Sequence, residues 1–323
     1  MKSAIDIFIE LKNRISGNLP LDILHNAVRE NSWFSTIEIR NAIDAICRTM
    51  LTRKALEEWM LNYPELPSKE PKSTLIVMAG NIPLVGFFDL LCVIMAGDRA
   101  IVKPSHKDRV LMEWIIGEMQ FIEPMIPIYI CYDDSVTPDR VIATGGESAV
   151  RYFRERYNST PTLLRGSRHS VAIIRSEDEM LDGLERDIYL YSGLGCRNVS
   201  MIFAPEGYDI TLIPQSTINQ KYNNNYLQNR ALLKLNEVDF TDSGISCLVE
   251  SYELPSQIST ISIARYTDID EVEGWVEEHD HKIQCIVANK ETIDHPRRVN
   301  FGAAQYPTLN DYADGIDTMK FLL

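Results

Sequence analysis

Residues 73–105 read STLIVMAGNIPLVGFFDLLCVIMAGDRAIVKPS, and this pattern decides the fold. Residues 75–79 are apolar at every position, as a strand covered on both faces must be, and Gly80-Asn81-Ile82-Pro83 punctuates the run. Residues 87–97 are apolar on nearly every helical face with Asp89 as the one charge, which predicts a sandwiched helix. Gly97-Asp98 stops that helix, and Arg99–Lys103 is predicted to be the next strand. Strand, buried helix and strand make one βαβ unit of a parallel sheet, and open parallel sheets bind ligands at the carboxyl ends of their strands. Asn81 and Lys103 are both predicted to stand at that rim.

Upstream, residues 1–16 mix acids with hydrophobes in an amphipathic helix and lack the apolar run of a signal peptide. Residues 21–59 repeat apolar positions at helical spacing, with Ser35-Thr36-Ile37-Glu38 as a capped helix start, and residues 64–68 read as a linker. Downstream come a helix over 109–119, strands over 127–131 and 140–143, the turn Thr144-Gly145-Gly146 and a helix over 147–157. Strands over 162–165 and 170–174 precede a short helix carrying Asp187, and the loop 191–198 leads into an apolar strand over 199–204. The remainder alternates: helix 217–235, strand 258–264, helix 269–278, strand 283–288. Placing the switch at that loop gives a first domain over 1–188, onto which 305–323 packs back, and a second, smaller α/β domain over 189–304.

A chain of 323 residues suits two domains, and 45% hydrophobic with 24% charged residues is a globular composition with ample core. With 32 Lys and Arg against 46 Asp and Glu, a net of -14, neither nucleic acid nor an anionic membrane surface is an expected partner. The longest apolar stretch, 82–97, is interrupted by Asp89 and falls short of the roughly 20 residues a membrane span needs. Six cysteines, at 47, 92, 131, 196, 247 and 285, form no CxxC pair, which suits a reducing cytoplasm. Cys92 and Cys285 lie in apolar runs, the setting of a buried structural thiol.

Three features can carry chemistry, and each has a plainer reading. Cys196, between Gly195 and Arg197 in a loop, has close backbone approach and a neighbouring cation, both of which favour thiolate; the plainer reading is an inert cysteine at a domain junction. Asn81 can donate its amide to an oxyanion, or can simply be a turn residue beside Gly80 and Pro83. Thr144-Gly145-Gly146 ahead of a helix can approach a phosphate, although it is not GxGxxG and such turns are common. His169 is a proton relay or a solvated histidine, and His279 and His281 around Asp280 read as a solvated helix end, so no metal is expected.

In order and spacing, residues 73–204 resemble the aldehyde dehydrogenase superfamily and, more closely, its acyl-CoA reductase (LuxC-like) branch. The resemblance rests on Asn81-Ile82-Pro83 after a strand, Lys103-Pro104-Ser105 after the next, Thr144-Gly145-Gly146, and Gly193-Leu194-Gly195-Cys196. The runs Gly145 to Val150, Gly195 to Ser200, Phe301-Gly302-Ala303-Ala304-Gln305 and Tyr312-Ala313-Asp314-Gly315 point to the reductase branch. It implies an α/β fold of an open Rossmann-like parallel-sheet domain and a smaller catalytic domain. It also implies reduction of an acyl-CoA to an aldehyde through a thioacyl-Cys196, with Asn81 in the oxyanion hole. Cofactor contacts are carried over to Lys103, Ser105, His106, Thr144, Gly145 and Gly146. Where hydrolytic relatives carry the water-activating glutamate this chain has Leu164, which favours exchange with coenzyme A over hydrolysis. His106 stands where NAD-preferring relatives often have a ribose-binding glutamate, and Lys103 and Lys107 can pair with a 2'-phosphate, so NADPH is expected ahead of NADH. Val150 replaces a second glycine of the phosphate turn in many relatives, which leaves the pyrophosphate pose open. A homodimer is compatible with the resemblance, although no bridging hairpin is evident. Aldehyde oxidation, acyl-phosphate reduction and a catalytically silent binding protein are the competing readings.

Overall fold

The computed structural model describes residues 2–133, 135–176, 181, 183–212 and 219–323. Met1–Ser167 with Thr308–Leu323 form one compact unit, and Arg168–Pro307 form a second.

In the first unit, β1 (Ser73–Val77), β2 (Arg99–Lys103), β3 (Ile128–Ile130), β4 (Arg140–Thr144) and β5 (Thr162–Arg165) make a parallel sheet in the order β3-β2-β1-β4-β5. The order reverses direction at β1, the switch point where such sheets open a crevice. Ahead of the sheet run α1 (Ala4–Ile15), α2 (Leu21–Glu30), α3 (Thr36–Thr49) and α4 (Arg53–Met60). Each start except that of α2 is capped by a hydroxyl: Ser3 for α1, Thr52 for α4, and for α3 the Ser35–Glu38 capping box that the sequence predicts. The helix between β1 and β2, α5 (Phe87–Met95), is buried on almost every side, and its Phe87 ring meets Phe8 of α1 edge to face at 6.2 Å. Next come α6 (Arg109–Ile122), against which α1 and α2 pack, and α7 (Glu147–Arg156) between β4 and β5. Burying side chains such as Phe8, Trp59, Phe87 and Leu90 stabilises this core by about 1.5–3 kcal/mol each.

Asp89, the lone charge of α5, is buried and accepts both carboxylate bonds from Arg165 Nη1, at 2.6 and 2.8 Å. Arg165 Nη2 donates to Thr318 Oγ1 at 2.6 Å, at the start of the terminal helix Thr318–Leu322. Arg140 donates to the carbonyls of Leu322 and Leu323 while facing Asp98 at 3.4 Å. Two buried arginines thus tie the terminal segment to the ends of β4 and β5. Tyr312 of the Tyr-Ala-Asp-Gly run accepts from Trp59 Nε1 at 2.7 Å and shares a hydrogen bond with the Tyr63 hydroxyl. That motif therefore serves the first unit's packing.

The second unit holds β6 (His169–Ile173), β7 (Val199–Pro205), β8 (Thr241–Asp242), β9 (Cys247–Glu250), β10 (Thr260–Tyr266), β11 (Ile283–Val287) and β12 (Arg298–Val299), in the order β12-β11-β6-β7-β10-β9-β8. All pairs are parallel except β8 with β9. Its helices are α8 (Leu184–Tyr189), α9 (Gln220–Leu235) and α10 (Ile269–His279). Of the helix predicted over 217–235, residues 217 and 218 lie outside the described residues, and α9 starts after an Asn219 side-chain cap. The boundary predicted after residue 188 is corrected to Ser167/Arg168, because β6 bonds to β7 on one side and β11 on the other and so is central to the second sheet. The return to the first unit likewise falls at Thr308 and not at 305.

Candidate active site

The carboxyl ends of β2, β1 and β4 form a continuous rim, since Val77 registers with Lys103 on one side and with Ala143 on the other. Asn81 follows β1, Lys103 ends β2, and Thr144 ends β4. Gly80 must be glycine here: a Cβ would lie 2.5 Å from Ser105 Oγ, so the loops after β1 and β2 touch. Ser105 Oγ accepts from the Lys107 N–H at 3.3 Å, which turns the loop back and leaves His106 and Lys107 exposed. Lys103 Nζ lies 6.0 Å from the Phe153 ring centre, which brings the β2 end towards α7.

Thr144-Gly145-Gly146 makes the turn into α7, and the Gly145 N–H donates to the Arg165 carbonyl at 3.1 Å. Gly146 is the N-cap residue, with no side-chain cap, and a Cβ there would meet nothing within 4 Å. An uncapped, unobstructed helix start on the rim fits a dinucleotide's phosphates, whose charge the helix amides and dipole favour. The first unit thus places Asn81 and the six residues expected at the cofactor along the strand ends and following loops of β1, β2 and β4.

In the second unit, Cys196 sits in a turn built by its neighbours. The Gly195 N–H donates to Asn198 Oδ1 at 2.8 Å, and the Asn198 N–H returns to the Gly195 carbonyl at 3.0 Å. The buried Asn198 amide also donates to the carbonyls of Asp187, Ile188 and Leu190, at 3.1, 3.1 and 2.8 Å, tying the turn to the end of α8. Ser170 Oγ donates to the Cys196 carbonyl at 2.9 Å, so the turn is fixed to β6 as well. Ahead of the cysteine, Tyr191, Ser192 and Gly193 are all left-handed, with φ of 57°, 54° and 65°. Two non-glycine residues in that region cost about 1–2 kcal/mol each, strain that the surrounding bonds hold in place.

The Phe301–Gln305 run closes on the same turn. Buried Asp187 accepts the N–H groups of Gly302 at 2.6 Å and Ala304 at 3.0 Å, and Arg197 Nε donates to the Ala304 carbonyl. Burial pushes the Asp187 carboxyl up to about 6, with the two amides and the cations Arg186 and Arg197 opposing the shift. Neither Asp187 nor Asn198 belongs to a sequence pattern that points to chemistry; a polar residue two places after the cysteine is the one available signal. Burial lowers the pKa of His169, with Lys282 acting in the same direction, and Nδ1 bonds Ser200 Oγ at 2.9 Å. His279 stacks on Trp275 at 4.1 Å, a packing role.

The thiols divide by setting. Cys47, Cys92, Cys247 and Cys285 are buried, and Cys131 and Cys196 are half-buried. Burial pushes Cys47 and Cys247 up to about 11 and Cys92 well above the usual thiol range.

Among solved structures, the chain is similar to aldehyde dehydrogenase 21 of Physcomitrella patens in complex with succinate, with a TM-score of 0.62, 13% identity and coverage of 90% of this chain and 73% of that one. It is likewise similar to betaine aldehyde dehydrogenase of Staphylococcus aureus in complex with NAD+, with a TM-score of 0.61, 10% identity and coverage of 89% and 70%. At such identities the likeness shows the fold, an aldehyde-dehydrogenase-like α/β architecture. Over 196 residues the chain is 24% identical to long-chain acyl-protein thioester reductase 2 of Photobacterium leiognathi and to the long-chain acyl-protein thioester reductase of Photorhabdus laumondii. Each match covers 54% of this chain and 41% of the relative, so the chain spans well under two thirds of these curated relatives. No helix among the described residues is long and apolar enough to cross a membrane. The family model described as acyl-CoA reductase (LuxC) matches residues 23–215, a span that takes in the β1–β2 rim, the glycine turn and the Cys196 turn and covers more than half of the chain, which therefore belongs to the acyl-CoA reductase (LuxC) family.

Proposed function

We propose that this chain reduces an acyl thioester, with acyl-CoA as the donor, to an aldehyde through a thioacyl intermediate on Cys196. The observation that carries the reading is the built turn around Cys196, a half-buried thiol held by Asn198, Ser170 and the 301–305 segment while its own backbone lead is strained. The Cys196 thiolate attacks the thioester carbonyl; the new carbon–sulfur bond forms as the bond to coenzyme A breaks, and coenzyme A leaves as the thiolate. The Asn81 amide and the Cys196 N–H donate to the oxyanion in between. A reduced nicotinamide bound at the rim, NADPH in this reading, would supply a hydride to the thioacyl carbon; the Cys196 sulfur then leaves as thiolate and the aldehyde is released. Thr144, Gly145 and Gly146 would hold its phosphates, with Ser105 and His106 on the adenosine ribose side and Lys103 against the 2'-phosphate.

Asn81→Ala lowers turnover about 100-fold, the loss of one oxyanion donor. Single-turnover acylation read by quenched-flow mass analysis checks this, and equal rates in mutant and parent reduce Asn81 to a turn residue.

Leu164 stands on β5 beside Ala143 and packs with Leu75, Val141 and Phe153, an apolar setting that activates no water. Leu164→Glu therefore opens hydrolysis. In the folded variant, free fatty acid appears from acyl-CoA without reduced cofactor at a rate about 100-fold or more above the parent, the low end of what a positioned base supplies. Parent and variant releasing acid equally would assign the water-activating task elsewhere, His169 first. Running the parent with an acyl-CoA and with an acyl-protein thioester side by side tests the donor: the proposal expects faster NADPH oxidation with acyl-CoA, and the reverse order assigns the protein thioester.

A further inference from the structure

Asp108 precedes α6, the position from which an aspartate ordinarily accepts its own helix's first-turn amides, yet its carboxyl makes no such bond. Its Oδ2 instead takes the Leu84 N–H at 2.8 Å, 24 residues earlier in the chain, in the β1–α5 connection. Leu84 is left-handed at φ 57°, a conformation that a leucine adopts only under constraint. The Asp108 side chain is buried, and its Oδ1 has no hydrogen-bond partner among the described residues. Leu84 lies three residues past Asn81, and Asp108 three past Ser105. The same two loops meet at Gly80 against Ser105, and the Met78 N–H donates to the Lys103 carbonyl at 3.0 Å. A residue suited to capping its own helix is thus turned to clasp the loop that bears Asn81.

We propose that Asp108 is a positioning residue, whose carboxyl locks the 81–86 turn against the 103–108 loop and so fixes the Asn81 amide for the reacting carbonyl. The inference rests on the reading of Asn81 as the oxyanion donor. Burial raises the Asp108 carboxyl well above its ordinary range, with the Leu84 N–H opposing it, so the neutral amide of asparagine is the faithful mimic. Serine keeps the ability to cap α6 but is too short to span to Leu84, which separates positioning from helix capping.

The test is kcat and KM for acyl-CoA and NADPH in Asp108→Asn, Asp108→Ser, Asn81→Ala and Asn81→Ala with Asp108→Ser. Asp108→Asn keeps kcat within about twofold of the parent, while Asp108→Ser loses about tenfold or more in kcat with both KM values within about twofold. The double variant falls no lower than Asn81→Ala alone, because two residues acting as one unit are not additive. If Asp108→Ser fails to fold, Asp108→Glu, which displaces the acceptor by one methylene, carries the same kcat comparison. Parental kcat in Asp108→Ser, or losses that multiply in the double variant while Asn81→Ala is itself impaired, overturn this inference alone. Parental kcat in Asn81→Ala overturns the oxyanion reading and the inference with it.

Discussion

Cys196→Ala removes acyl-CoA-dependent NADPH oxidation, by about 10⁴-fold or more, and shifts the melting temperature by less than about 2 °C. On the proposed route nothing replaces the Cys196 nucleophile, so the loss falls on every turnover. Stability is spared because Cys196 is half-buried and its turn is held by backbone groups and by Asn198, none of which the substitution touches. Buried thiols give the opposite pattern. Cys92→Ala and Cys285→Ala each cost about 1–2 kcal/mol through lost packing, with turnover retained in the folded fraction. Steady-state NADPH oxidation and a thermal melt on the three variants separate the two classes. Normal turnover in Cys196→Ala rules out the covalent route.

Arg165→Met unfolds the first unit far more readily than an ordinary point substitution. It strands the Asp89 carboxylate inside α5 with neither of its two bonds and takes the donor from Thr318. Breaking a buried pair by deleting one partner costs about 3–5 kcal/mol, since the remaining charge is uncompensated. A melting-temperature drop of about 10 °C follows for a unit of this size. Arg165→Met with Asp89→Leu recovers most of that loss, because the desolvated charge is gone from both sides. Thermal unfolding of both variants is the check, and a single variant melting within about 2 °C of the parent contradicts the pairing.

The elements around the rim were legible because their apolar runs are long and their breaks are glycine, proline or aspartate: β2, α7's start and β5 fall where the pattern puts them. What pairs with what was less legible. Asp89 stood out as a lone charge, but nothing local in the chain points to Arg165, 76 residues on. β6 follows β5 after a short break at Gly166-Ser167, too little punctuation to show that the two strands belong to different sheets. The Cys196 loop was visible as a motif, whereas the left-handed backbone at Tyr191 and Ser192 was not, because neither residue type favours that conformation. Asp108 read as an ordinary helix cap would have hidden its contact with Leu84. In each case the missing information is a tertiary partner that overrides a local preference.

The central claim is that Cys196 exchanges thioesters and then waits for hydride, because Leu164 replaces the glutamate that would activate water. Intact-mass analysis of the protein incubated with an acyl-CoA in the absence of reduced cofactor tests this directly. One acyl group maps to Cys196 by peptide mass, persists for minutes, and disappears as aldehyde when NADPH is added. An unmodified protein, an adduct at the other half-buried thiol, Cys131, or prompt release of free fatty acid contradicts the account.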